Sequence, residues 1–197
     1  QVRDIEIRKT KGVADNISLK RAWNIMQENN VVTIPAVRED GTLEGLITVG
    51  DITRSYMNVY DSSILSKACT QYSNILETLE GALVVGDENA YFDEGKVLVA
   101  AANPDMMEYY IEKNDLVILG NRYESQLCAI EMEASCIIVC EGAGVSMTIK
   151  KLAQERGCTV LTTPYDTYTA ARLINQSMPI SYFMTREHLI TFNSDDY

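Results

Sequence analysis

The sequence predicts an α/β chain with a small β-α-β-β-α unit first, a three-layer α/β domain next, and the start of a second small unit at the end. Three observations carry this. Two short apolar runs within residues 31–48 are joined by an Asp-Gly turn and followed by a helix start. From residue 82 onward, apolar strand-like runs alternate with helical stretches, which is the pattern of strands sandwiched between helices. At 197 residues the chain also exceeds the roughly 100–150 residues usual for one domain. The expected divisions are 1–61, 62–176 and 177–197.

In the first unit, "IEIRKTKGVADNIS" reads as a strand followed by a polar turn. "SLKRAWNIMQENN" then has Ser18 placed as an N-cap, with Leu19, Ala22, Trp23 and Met26 spaced for one helical face. Asn29 and Asn30 end that helix. "VVTIPAV" and "LEGLITV" are strands joined by a hairpin turn built on Asp40 and Gly41. A helix follows from about Asp51 to Val59.

A polar connector, "SSILSKACT", changes the rhythm. Beyond it "ALVVG", "KVLVAA", "DLVILG", "SCIIVC" and "TVLTT" are expected as strands of a parallel sheet. "PDMMEYYIEKN", "YESQLCAIEMEA", "SMTIKKLAQERG" and "DTYTAARLINQS" are expected as the intervening helices. The closing "MPISYFMTREHLITFNSDDY" departs from this alternation and shares the strand-then-turn form of the chain's own beginning. A second copy of the first unit is expected to start there and to be cut short.

Composition narrows the function. The apolar fraction of 46% and charged fraction of 23% are those of an ordinary globular protein. A formal charge of −11 disfavours nucleic acid and anionic membrane as partners, while leaving room for a local basic pocket. The five cysteines form no C-x-x-C pair and their number is odd, so buried thiols in a reducing cytoplasm are expected. No apolar run approaches the ~20 residues of a membrane helix. With His188 as the one histidine, the chain lacks the usual materials for a transition-metal site or a His-based triad, and no catalysis of its own is expected.

Binding chemistry concentrates in "GLITVGDI". Thr48 and Asp51 stand three apart where a strand gives way to a helix. A hydroxyl at a helix N-terminus suits a phosphate, and a carboxylate suits a ribose diol. The same pair reads equally as a strand residue and a helix cap.

The stretch "VVTIPAVREDGTLEGLITVGDITRSYM" resembles the second half of a cystathionine-β-synthase-type (CBS) domain. That pattern is an apolar strand, Pro, an apolar pair, an acidic-Gly turn, Gly, a strand and Thr/Ser-x-x-Asp, filled here by Ile34, Pro35, Ala36, Val37, Gly41, Gly45, Thr48 and Asp51. The upstream "GVADNISLKRAWNIMQENN" fits that family's first strand and helix. The resemblance implies an adenine lying between Gly12–Val13 and Ile34–Pro35, with Thr48 on phosphate and Asp51 on ribose. Tyr182, leading into the second copy, would line the same cleft. CBS domains bind nucleotides as tandem pairs, so one copy implies another.

The middle stretch, residues 70–176, resembles a DRTGG domain, an α/β module named for a motif beginning Asp-Arg. Asn121 replaces the Asp, Arg122 and Gln126 follow, and no TGG is present, so the likeness rests on the strands and on "TTPYDTYTAARLI". "EGAGVSMTIKK" leads from a strand into a helix but lacks the Lys-Ser/Thr of a P-loop, and Gly142 and Gly144 read as a tight turn. Arg122 is open to an anion-binding or an exposed structural role. Tyr109, Tyr110, Tyr165 and Tyr168 are expected in a core or interface.

The order CBS, DRTGG, start of CBS resembles the regulatory insert of family II inorganic pyrophosphatases of the clostridial type. The resemblance implies adenine nucleotides as ligands, with AMP and ADP inhibiting and ATP or diadenosine polyphosphates activating. It further implies a homodimer, and manganese or cobalt held by the catalytic part of a parent hydrolase, outside this fragment. Two other classes stay open: a CBS/DRTGG sensor of a transcriptional or thioesterase-linked regulator, and an acyl- or phosphoryl-transferring middle domain.

Overall fold

The computed structural model describes residues 9–100 and 103–193, and its contacts divide them into two compact units. The first holds residues up to 58 together with those from 180, and the second holds 59–179. The opening strand expected over "IEIRKT" lies mostly outside the described residues.

In the first unit, helix α1 (Leu19–Asn29) starts at Ser18, whose hydroxyl accepts the N–H of Arg21 at 3.0 Å. It ends at Asn30, which takes the left-handed conformation at φ 49°. Leu19, Ala22 and Met26 are buried, but Trp23 is 37% exposed. The expected four-residue face is therefore three residues wide. Trp23 follows Ala22 directly and so turns about 100° away from it.

Strands β1 (Thr33–Val37) and β2 (Leu43–Thr48) pair antiparallel, with Thr33 opposite Thr48 and Ile34 opposite Ile47. The hairpin closes as expected: Gly41, at φ 84°, donates its N–H to Arg38 O, and Asp40 accepts the N–H of Thr42. Ile34, Ala36, Gly45 and Ile47 are buried, while Thr33, Pro35, Val37, Leu46 and Thr48 are half-buried on the opposite face.

Val13 adds to the outer edge of β1 in parallel, and Thr185 adds to the outer edge of β2 antiparallel. Leu46 and Thr185 exchange both backbone hydrogen bonds at 2.9 Å. This return of the chain requires Gly45, since a Cβ there would lie 2.8 Å from Thr185 O and 2.9 Å from Met184 Sδ. Helix α2 (Val49–Met57) follows β2 and starts two residues earlier than expected.

The second unit opens with α3 (Ile64–Lys67), a small antiparallel pair of β3 (Thr70–Gln71) and β5 (Tyr91–Phe92), and α4 (Tyr72–Thr78). Its main sheet contains β4 (Ala82–Val85), β6 (Val97–Val99), β7 (Leu116–Leu119), β8 (Cys136–Val139) and β9 (Thr159–Thr162), in the order β4-β9-β8-β7-β6. All five expected strands are present.

The pairings from β6 to β9 are parallel, but β4 runs antiparallel to β9, so the sheet is mixed. An apolar run does not report direction, and β4, an edge strand with Ala82 and Leu83 exposed, enters through the turn after α4 instead of a crossover from a neighbouring strand.

The crossovers carry α5 (Pro104–Met107), α6 (Tyr123–Glu131) and α7 (Met147–Arg156). Strands placed in sequence order put these helices on one face. There Met107, Ala129, Ile130, Ile149 and Ala153 form one core with Val117, Leu119, Ile137, Val139 and Val160. Leu116, Ile118, Cys136, Ile138 and Leu161 point to the other face, where α8 (Thr167–Leu173) packs against β7, giving the three layers expected.

Helix α5 is shorter than "PDMMEYYIEKN" suggested. Buried Asp115 accepts the N–H groups of Glu112 at 2.8 Å and Lys96 at 3.0 Å, which draws the chain out of the helix. Tyr109, Tyr110 and Tyr168 are exposed, so the expected core placement does not hold for them.

Candidate functional site

Thr48 and Asp51 are brought together by the junction of β2 and α2. Thr48 is the N-cap and Asp51 the third helical residue, and they close a reciprocal capping box. Thr48 Oγ1 accepts the Asp51 N–H at 3.1 Å, while Asp51 Oδ2 accepts the Thr48 N–H and hydroxyl at 2.8 Å each. Arg54 donates to Asp51 Oδ1 at 2.8 Å. Asp51 is 8% exposed, whereas the Arg54 side chain is 69% exposed. Arg54 was not singled out in the sequence, although its position three residues after Asp51 on a helix was a sufficient signal.

Gly12 and Val13 lie against β1. Val13 donates its N–H to Pro35 O at 3.0 Å and accepts the N–H of Val37 at 2.8 Å. Among the described residues the ladder goes no further toward the start of β1, and the segment before Val13 diverges. The divergence opens a cleft of about 500 Å³ lined by Lys9, Thr10, Lys11, Gly12, Val13, Ile25, Asn29 and Val31.

The cleft lining includes Gly12 and Val13 of the seven residues named from the sequence. Ile34 is fully buried, and Pro35 sits half-buried on the other face of the sheet. Tyr182 is half-exposed at the end of a 3-10 turn, Ile180–Tyr182, its ring edge-on to Phe183 at 5.1 Å. That turn is tied to the first unit through the Ile180 N–H to Ile17 O and the Ser181 N–H to Asp15 O.

In the second unit the glycine loop after β8 is occupied by its own chain. Glu141 and Gly142, both at φ 63°, donate their N–H groups to Tyr165 O and Thr163 O, and Ser146 caps α7. The loop thus acts as a strand-to-helix turn. Among the described residues no grouping of three or more His, Cys, Asp or Glu side chains could hold a metal ion.

Two domains are defined by this fold and by sequence models: a CBS domain over residues 2–58 and a DRTGG domain over residues 74–177. The chain belongs to the family of CBS–DRTGG regulatory regions. It is 40% identical over its whole length to the cobalt-dependent inorganic pyrophosphatase of Clostridium perfringens, of which it spans 36%. It is 25% identical, over 94% of its length, to a probable manganese-dependent inorganic pyrophosphatase of Thermotoga maritima, spanning 34% of that protein.

The chain thus covers about a third of the length of these curated relatives. Among solved structures, the CBS and DRTGG domains of the regulatory region of the Clostridium perfringens pyrophosphatase, complexed with the activator diadenosine tetraphosphate, match at a TM-score of 0.93. That match has 40% identity and covers all of this chain and 85% of the other.

Proposed function

We propose that this chain is an adenine-nucleotide-binding regulatory region that controls an inorganic pyrophosphatase. AMP and ADP lower the activity, and ATP or diadenosine polyphosphates raise it. The observation that carries this reading is the whole-chain match to a regulatory region that holds an adenine dinucleotide. The divergence before Val13 supports it, because backbone groups beside β1 that have no partner among the described residues suit the polar edge of an adenine. Gly12, Val13, Ile34, Pro35, Thr48, Asp51 and Tyr182 are assigned to the nucleotide site in this reading.

A dinucleotide has two adenosine ends, and one described chain offers one Thr48–Asp51 pair. A homodimer therefore suits the ligand, and the exposed Trp23, Tyr56 and Met57 on α1 and α2 provide apolar surface for it. Opposite effects of different nucleotides require two arrangements of such a dimer with different affinities for each. The cobalt or manganese named for the relatives belongs, in this reading, to the part of the protein beyond this chain. Five free thiols suit a cytoplasmic location.

The test is calorimetric titration with AMP, ADP, ATP and diadenosine tetraphosphate, alongside pyrophosphate hydrolysis by a longer protein that includes this region. Saturable binding with matching changes in hydrolysis is the expected result. Binding without any change in hydrolysis would overturn the pyrophosphatase part of the reading.

A further inference from the structure

The hydroxyl that the sequence assigned to phosphate is already committed. Thr48 Oγ1 gives its one proton to Asp51 Oδ2 and accepts the Asp51 N–H, so it has no donor left for an anion. Of the N–H groups at the helix start, those of Val49 and Asp51 are also taken, by Val32 O and Thr48 Oγ1. The Asp51 carboxylate adds negative charge at the same point. Three of its roughly four acceptor sites are filled, and the one left, on the oxygen that holds exposed Arg54, suits a hydroxyl donor.

The cations stand in the cleft beside Val13. Lys9 and Lys11 line the 500 Å³ cleft with Gly12 and Val13, and neither makes a hydrogen bond or ion pair with another described residue. Two such ammonium groups on one cleft wall are notable in a chain of charge −11. The cleft reaches the start of β1, because Val31 lines it and the next residue, Val32, accepts the N–H of Val49 beside Thr48.

We infer that Lys9 and Lys11 bind the phosphate groups of the nucleotide, and that the Thr48–Asp51 pair binds the ribose. This inference rests on the nucleotide reading above and divides the labour of its site differently from the sequence-based expectation.

The experiment titrates the full chain with adenosine, AMP and ATP, in wild type, Lys9→Gln with Lys11→Gln, and Lys11→Arg. Each ligand-free variant is first checked by thermal unfolding. The double variant is expected to lose about tenfold or more in ATP affinity, as charge-assisted hydrogen bonds are removed, and to show a shallower salt dependence. Adenosine affinity stays at the wild-type value, and Lys11→Arg retains ATP binding.

Unchanged ATP affinity in the double variant would overturn the lysine assignment while leaving the nucleotide reading standing. Equal losses for adenosine and ATP would also overturn it, because the lysines would then act on something other than phosphate. If wild type binds none of the three ligands, the reading on which the inference rests falls first.

Discussion

Asp51 Oδ2 accepts two hydrogen bonds from Thr48, from its backbone N–H and from its hydroxyl, both at 2.8 Å. The pair read in the sequence as a ligand site is thus also the structural start of α2. Loss of an N-cap side chain costs about 1 kcal/mol, which for a chain of this size corresponds to about 2–4 °C in Tm. Thr48→Val is expected to lower the unfolding temperature of the chain by about that much, with Thr48→Ser close to wild type. Circular dichroism melts of the two variants check this.

Gly45 admits the returning chain. A Cβ would meet Thr185 O at 2.8 Å, a backbone contact that cannot swing aside. Gly45→Ala is expected to cost about 1–3 kcal/mol through overpacking and to loosen the Leu46–Thr185 bonds. Hydrogen exchange at Leu46 and Thr185 is the measurement, and protection equal to wild type would show that the segment does not depend on this contact.

Thr78, on α4, has a buried hydroxyl with no hydrogen-bond partner among the described residues. Thr78→Val removes that uncompensated group at nearly constant shape. It is expected to stabilise the second unit by about 1 kcal/mol, measured as a higher midpoint in urea.

The cysteines separate by environment. Burial pushes the Cys140 thiol up to about 11 and the Cys158 thiol up to about 12, and it raises Cys136 well above its ordinary value. Cys69 is exposed. In folded protein near pH 8, one thiol per chain is expected to react with a disulfide reagent, and the other four only on unfolding.

Because burial raises the folded-state pKa of these thiols, their contribution to stability is fully present below the unfolded thiol pKa of about 8.5 and is lost as pH rises from there toward 11. Denaturant midpoints measured between pH 8 and 10.5 should fall accordingly.

The first unit was legible because its signals are local. Ser18, Asn30, the Asp40–Gly41 turn and the alternation of Ile34 and Ala36 each need a few neighbouring residues to act. The strands of the second unit were legible for the same reason. The direction of β4 was not, because it depends on pairing with β9 some eighty residues away.

The end of α5 was hidden too, since it is set by Asp115 capturing a backbone N–H rather than by a proline or glycine. In the site, the Thr48–Asp51 spacing was plain. The part played by Lys9 and Lys11 was not, because it comes from the gap left where their segment departs from β1.

Nucleotide binding through Asp51 is the feature on which the proposed function turns. The most direct measurement is calorimetric titration of diadenosine tetraphosphate into wild type and Asp51→Ala, on this chain and on one extended through a second CBS unit. Saturable binding at half a dinucleotide per chain is expected, lost in Asp51→Ala while the variant still melts cooperatively. Equal affinity in the two proteins, or no binding by either length of wild type, would contradict it.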